Sequence, residues 1–127
     1  MEPQSRRSIR ILVVDDDASS AQALAALLRE EGHTVGVARS GAAAIAELAA
    51  FGWELLLIDP SLRDQSGPRV LSEAEARGVP LIVLTADPAF DPARRPDARA
   101  RPFLYKPIHL PTLLVLIADT AAPAATA

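Results

Sequence analysis

Short apolar runs alternate along this chain with longer stretches in which apolar residues recur every third or fourth position, as when strands are joined by crossover helices. Residues 9–14, 34–38, 53–58, 81–84 and 103–105 read as five strands. The central runs are apolar without interruption, as expected of strands covered on both faces. Residues 18–31 place Ala21, Leu24, Ala25 and Leu28 on one helical face and stop before Gly32. Residues 41–50 do the same with Ile45, Leu48 and Ala49, and residues 68–77 form a shorter helix opened by Pro68 and closed by Gly78. A last helix over residues 110–119 has almost no polar side. Strands and helices in this alternation predict an α/β fold built on a parallel sheet.

The stretch 86–101 interrupts the pattern. Pro88, Pro92 and Pro96 recur every fourth residue, and a helix through them would lose successive backbone hydrogen bonds at about 3 kcal/mol each. A loop or isolated turns are expected there. The tails, residues 1–7 and 121–127, are expected to flank one domain over residues 8–120, with the Ala/Pro/Thr-rich C-terminal tail disordered.

Composition narrows the picture. A chain of 127 residues has the size of one domain, and one domain is the expectation. No apolar run approaches the roughly 20 residues of a membrane-spanning helix, and residues 1–10 do not have the form of an export signal. The absence of cysteine removes disulfides, thiolate nucleophiles and cysteine metal sites. A net charge of −3 is not the basic footprint of a nucleic-acid binder. The expectation is a cytoplasmic protein that meets neither membrane nor nucleic acid.

Ligands of an open parallel sheet bind beyond the carboxyl ends of its strands. Four of the five predicted strands end there suggestively: Asp15, Asp16 and Asp17 follow the first, Asp59 the third, Thr85 the fourth and Lys106 the fifth. If these ends converge, Asp15, Asp16 and Asp59 outweigh Lys106 by two negative charges, which Mg²⁺ would neutralise. Such a set suits metal-dependent phosphoryl chemistry.

In this order and spacing the residues resemble the receiver domains of response regulators, the CheY-like superfamily, over residues 8–119. Ile11-Leu12-Val13-Val14-Asp15-Asp16-Asp17 resembles the family's first strand and acidic pair, and Leu55-Leu56-Leu57-Ile58-Asp59 its third strand and phospho-acceptor. Gly67 is similar to the glycine eight residues after the acceptor, Leu81-Ile82-Val83-Leu84-Thr85-Ala86 to the hydroxyl-bearing strand, and Phe103-Leu104-Tyr105-Lys106-Pro107 to the lysine-proline signature. The resemblance implies a flavodoxin-like, doubly wound five-stranded sheet of order 2-1-3-4-5 with helices on both faces, its fourth helix lost or broken by the prolines. It further implies a stand-alone switch of a bacterial two-component phosphorelay, not an enzyme. Asp59 would take a phosphoryl group from a sensor histidine kinase or phosphotransfer protein. Mg²⁺ would be held by Asp16, Asp59 and the Ser61 backbone carbonyl, with Asp15 acting through water. Thr85 and Lys106 would grip the phosphoryl oxygens, and Phe103 would turn inward as Thr85 moves, presenting a changed surface to a downstream protein. The Lys106-Pro107 bond is, by the same resemblance, a candidate cis peptide.

Some positions depart from the family pattern. Arg63 stands where the family has proline and Pro60 where an aliphatic residue is common, which predicts an altered loop after Asp59. The broken fourth-helix region predicts that the signal leaves by another surface. Asp17 reads most simply as a cap on the first helix. His33 and His109 lack partners at catalytic or metal-ligand spacing and are assigned no role. Arg94, Arg95, Arg99 and Arg101 read as a solvated loop ahead of a docking site for an acidic partner. Asp87, two residues after Thr85, stands where it would influence water access to the phosphoryl group. The apolar segment 110–118 is either simply buried or a contact for a homodimer. Two other readings fit the same residues: a degenerate receiver acting only as an interaction module, and a haloacid-dehalogenase-type phosphatase using Asp15 of Asp15-Asp16-Asp17-Ala18-Ser19. The short chain and the lack of a later acidic pair stand against the phosphatase.

Overall fold

The computed structural model describes residues 8–87 and 101–121. Strands β1 (Arg10–Val14), β2 (Thr34–Ala38), β3 (Leu55–Ile58), β4 (Leu81–Thr85) and β5 (Phe103–Tyr105) alternate with helices α1 (Ala18–Glu30), α2 (Gly41–Ala50), α3 (Gly67–Ala76) and α4 (Leu110–Thr120). All pairings are parallel and the order is β2-β1-β3-β4-β5, as expected.

Successive strand residues face opposite sides of a sheet, so the continuous apolar runs feed two cores. Ile11, Val13, Leu55, Leu57, Ile82 and Leu84 pack with Ala21, Ala25 and Leu28 of α1 and Leu113 and Ile117 of α4. Leu12, Val14, Leu56, Ile58 and Val83 pack with Ala44 and Leu48 of α2 and Val70, Leu71 and Ala74 of α3. Gly32 and Gly78, at φ +98° and +71°, end α1 and α3 as expected.

Three expectations need correcting. Ala49 does not belong to the buried face of α2; Ala44 takes that place, one turn before Leu48, and Ala49 is exposed. β3 begins at Leu55, because Trp53 leaves the strand direction: its N–H donates to the Phe51 carbonyl at 3.0 Å and its indole Nε1 to the Glu47 carbonyl at 3.1 Å. β1 begins at Arg10, since the Ile9 N–H donates to His33 Nδ1 at 3.2 Å. α4 lies on the sheet through Leu113 and Ile117, leaving Val115 64% exposed. Among the described residues no helix stands between β4 and β5. Pro88, Pro92, Pro96, Arg94, Arg95 and Arg99 lie outside them, as do the expected tail residues 1–7 and 122–127.

Candidate functional site

Parallel register decides which residues meet at the carboxyl ends. Val14 pairs with Ile58, so Asp15 and Asp59 leave the sheet side by side. Their amides still belong to the ladder: Asp15 N–H donates to the Ala38 carbonyl at 3.1 Å and Asp59 N–H to the Val14 carbonyl at 3.0 Å. Lys106 follows β5 and donates its own N–H to the Thr85 carbonyl at 2.7 Å. Its long side chain then reaches back across β4. Nζ donates to Asp15 Oδ2 at 2.8 Å and to Asp59 Oδ2 at 2.9 Å.

These three side chains are 10% (Asp15), 15% (Asp59) and 23% (Lys106) exposed, so solvent screens the pairs only partly. Burial, the largest single influence on Lys106, disfavours its charge. Its hydrogen bonds to Asp15 and Asp59, together with their charges, outweigh it and hold the ammonium pKa above its ordinary 10.5.

The remaining carboxylate oxygens bind backbone amides. Asp15 Oδ1 accepts from Asp17 N–H at 2.9 Å and Asp59 Oδ1 from Ser61 N–H at 2.9 Å. Asp16 Oδ2 accepts from Arg63 N–H at 2.8 Å, across the gap between the β1–α1 turn and the β3–α3 loop. Asp17 caps α1, accepting from the Ser19 and Ser20 amides and the Ser20 hydroxyl. The Ser20 hydroxyl, then its amide, keep the Asp17 carboxyl below the ordinary 3.8.

The loop after Asp59 is tightly built. Leu62 is buried, Gln65 adopts φ +63°, and Gly67 sits against the Pro60 backbone, where an added Cβ would lie 2.2 Å from the Pro60 carbonyl oxygen. A glycine eight residues after Asp59 is therefore a steric requirement of this loop.

Thr85 is wholly buried as the last residue of β4, and its hydroxyl accepts from Asp87 N–H at 3.0 Å. Phe103 is half-buried against the α2/α3-side core and meets Tyr105 edge to face, ring centroids 5.3 Å apart. Lys106-Pro107 is cis, as expected. His109 precedes α4 with Nδ1 2.8 Å from the Thr112 hydroxyl, and Arg101 pairs with Glu75 at 2.7 Å.

The structure thus brings Asp15, Asp59 and Lys106 into direct contact and sets Thr85 beside Lys106 through the sheet, while Asp16 turns to the Arg63 amide. Among the described residues no three acidic or imidazole side chains converge as a ready-made metal cluster. The donors nevertheless suit a hard divalent cation: they are all oxygens, and three carboxylates against one ammonium leave two negative charges uncompensated. Two features were not anticipated from sequence. One is the Arg63 amide, whose only signal was a residue able to donate an N–H at the fourth position after Asp59. The other is a cavity of about 300 Å³ beside Asp59 and Lys106, walled by Leu24, Leu27, Pro107 and Ile108.

The same chain is similar to known proteins. The family model described as response regulator receiver domain matches residues 11–118. The sensory transduction protein RegX3 of Mycobacterium tuberculosis is 36% identical over 109 residues, which are 84% of this chain and 48% of that protein. The chain therefore spans about half the length of that relative. A CheY-like receiver domain protein from Methanospirillum hungatei shares the fold at TM-score 0.80 and 26% identity, over 91% of this chain and 94% of that one. The receiver domain of a sensor histidine kinase from Pseudomonas aeruginosa, with a magnesium ion coordinated in its active site cleft, aligns at TM-score 0.79 and 24% identity over 91% of this chain and 98% of that one.

Proposed function

The chain belongs to the response regulator receiver domain family, and on that premise we propose that it is a phospho-acceptor switch with Asp59 as the acceptor. The observation that carries this reading is the Lys106 ammonium shared between Asp15 and Asp59 at the carboxyl ends of three parallel strands. An Asp59 oxygen forms the new O–P bond as the P–N bond of a phosphohistidine breaks, and the imidazole nitrogen of the donor keeps the electron pair. The sensor histidine kinase or phosphotransfer protein that supplies the group is thus the upstream partner. Lys106, relieved of part of its pairing with Asp59, is placed to hold a phosphoryl oxygen. The Thr85 hydroxyl, exchanging its Asp87 contact for phosphate, would do the same and leave room for Phe103 to turn inward. Asp16, Asp59 and the Ser61 carbonyl, with Asp15 through water, would hold Mg²⁺, which supplies charge neutralisation for the incoming phosphoryl group. The protein is a switch and not a turnover enzyme: phosphorylation biases its surface toward a state that a downstream protein reads.

The test is the intact mass of wild type and Asp59→Asn after incubation with acetyl phosphate, with Mg²⁺ and then with EDTA. One phosphoryl group on wild type only, and only with Mg²⁺, is expected. An adduct that survives in Asp59→Asn and is lost in Asp15→Asn would instead indicate chemistry centred on Asp15. No adduct, from acetyl phosphate or from a phosphorylated kinase, would leave an interaction module that works without phosphate.

A further inference from the structure

We propose that the Arg63 backbone amide is a latch on Asp16 that a divalent cation must open, so that metal binding and the seating of the β3–α3 loop are coupled. The inference rests on the reading of this site as Mg²⁺-dependent. Within that loop, Ser61, Gln65 and Ser66 donate their amides to Asp59, Leu62 and Asp64. Arg63 alone of these reaches out of the loop, to Asp16 Oδ2 at 2.8 Å, joining residues 47 apart in sequence.

The loop is fixed at three points. Leu62 anchors it in the core, Gln65 turns it with a positive φ, and Gly67 closes it against Pro60. It leads straight into α3, so whatever unseats it is felt at the start of that helix.

An amide N–H satisfies part of the negative charge that Asp16 would offer a cation and occupies its Oδ2. A cation recruiting Asp16 therefore competes with the Arg63 amide. By linkage, the bond that the cation must break weakens its binding, and the bound cation weakens the bond by the same factor. One such hydrogen bond is worth a change of about three- to tenfold in affinity.

The donor is a backbone group, so its removal requires proline, whereas alanine removes only the guanidinium. Mg²⁺ is titrated calorimetrically into wild type, Arg63→Ala and Arg63→Pro, with amide hydrogen exchange at Arg63 followed by NMR in wild type. Arg63→Pro is expected to bind Mg²⁺ about three- to tenfold more tightly and Arg63→Ala like wild type. The wild-type Arg63 amide is expected to exchange faster once Mg²⁺ is bound. Equal or weaker binding by Arg63→Pro would overturn the latch while the metal site stands. Should no variant bind Mg²⁺, the metal reading falls and the latch with it. If Arg63→Pro loses its cooperative melt, the wild-type amide decides alone: faster exchange with Mg²⁺ supports the latch, and unchanged exchange overturns it.

Discussion

The two ends of the sheet are finished in opposite ways. At the amino ends, polar groups are paired. Ser8 Oγ donates to the Gly32 carbonyl at 2.6 Å, Arg10 Nε to the Gly52 carbonyl at 2.7 Å, and Arg10 N–H to Glu54 Oε1 at 2.9 Å. The Trp53 ring covers Gly36 so closely that a Cβ there would sit 2.6 Å from it. At the carboxyl ends like charges are gathered instead, Asp15 and Asp59 sharing one ammonium while Asp16 is held by a backbone amide. Paired groups hold a fold together, whereas carboxylates with unspent charge destabilise it slightly; on the proposed function that charge is kept for a cation and a phosphoryl group. Stability should therefore be concentrated at one end and chemistry at the other.

The largest effect is expected where the amino ends are closed. Trp53→Ala removes a half-buried ring and its hydrogen bond to Glu47, and should cost about 2–4 kcal/mol in urea unfolding followed by circular dichroism. Under conditions where the variant is folded, its capacity to accept phosphate from acetyl phosphate should match wild type. A parallel fall in phosphate acceptance would show that the two ends are not separable.

At the other end, Gly67→Ala should divide its effect differently. The new methyl meets the Pro60 backbone, which cannot rotate away as a side chain would, so the whole loop must shift. Because much of that loop is exposed, the stability cost should be smaller, about 1–3 kcal/mol. The rate of phosphorylation of the folded protein should fall by more than that cost accounts for, since the displaced loop carries Ser61 and the Arg63 amide. A variant that loses stability and keeps its rate would remove the loop from the site.

Much of this division was legible in the sequence. The short apolar run from Leu55 to Ile58 reads as a strand covered on both faces, and Asp15, Asp59 and Lys106 meet because parallel register carries strand ends to one level. What was not legible depends on side-chain direction and loop path. Helical spacing alone did not decide between Ala44 and Ala49 on the buried face of α2, two small residues alike in propensity. Trp53 read as the first residue of the third strand, yet its ring lies over the bare backbone of Gly36. Asp16 and Thr85 were found as residues, but their partners, the amides of Arg63 and Asp87, are backbone groups that every non-proline residue possesses and no side-chain pattern announces.

Not every carboxylate at the reactive end belongs to the chemistry, and Asp64 offers the smallest and most selective test. Its Oδ1 accepts from the Ser66 amide at 3.1 Å and from the Ser66 hydroxyl, bracing the turn before α3. The hydroxyl first, then the amide, hold its pKa below the ordinary 3.8. A carboxyl depressed in the folded state contributes stability that is present above 3.8 and is lost as pH falls through the lower folded value. Asp64→Asn keeps an acceptor and loses the charge, so it should be slightly less stable than wild type near neutral pH, with the difference closing in acid. Asp64 is exposed, solvent screens the effect, and urea midpoints compared across pH are needed to see it. Phosphate acceptance should be untouched. A slower rate in this variant would mean that the turn at Asp64 helps seat Ser61 and Arg63, and that the reactive end extends to the threshold of α3.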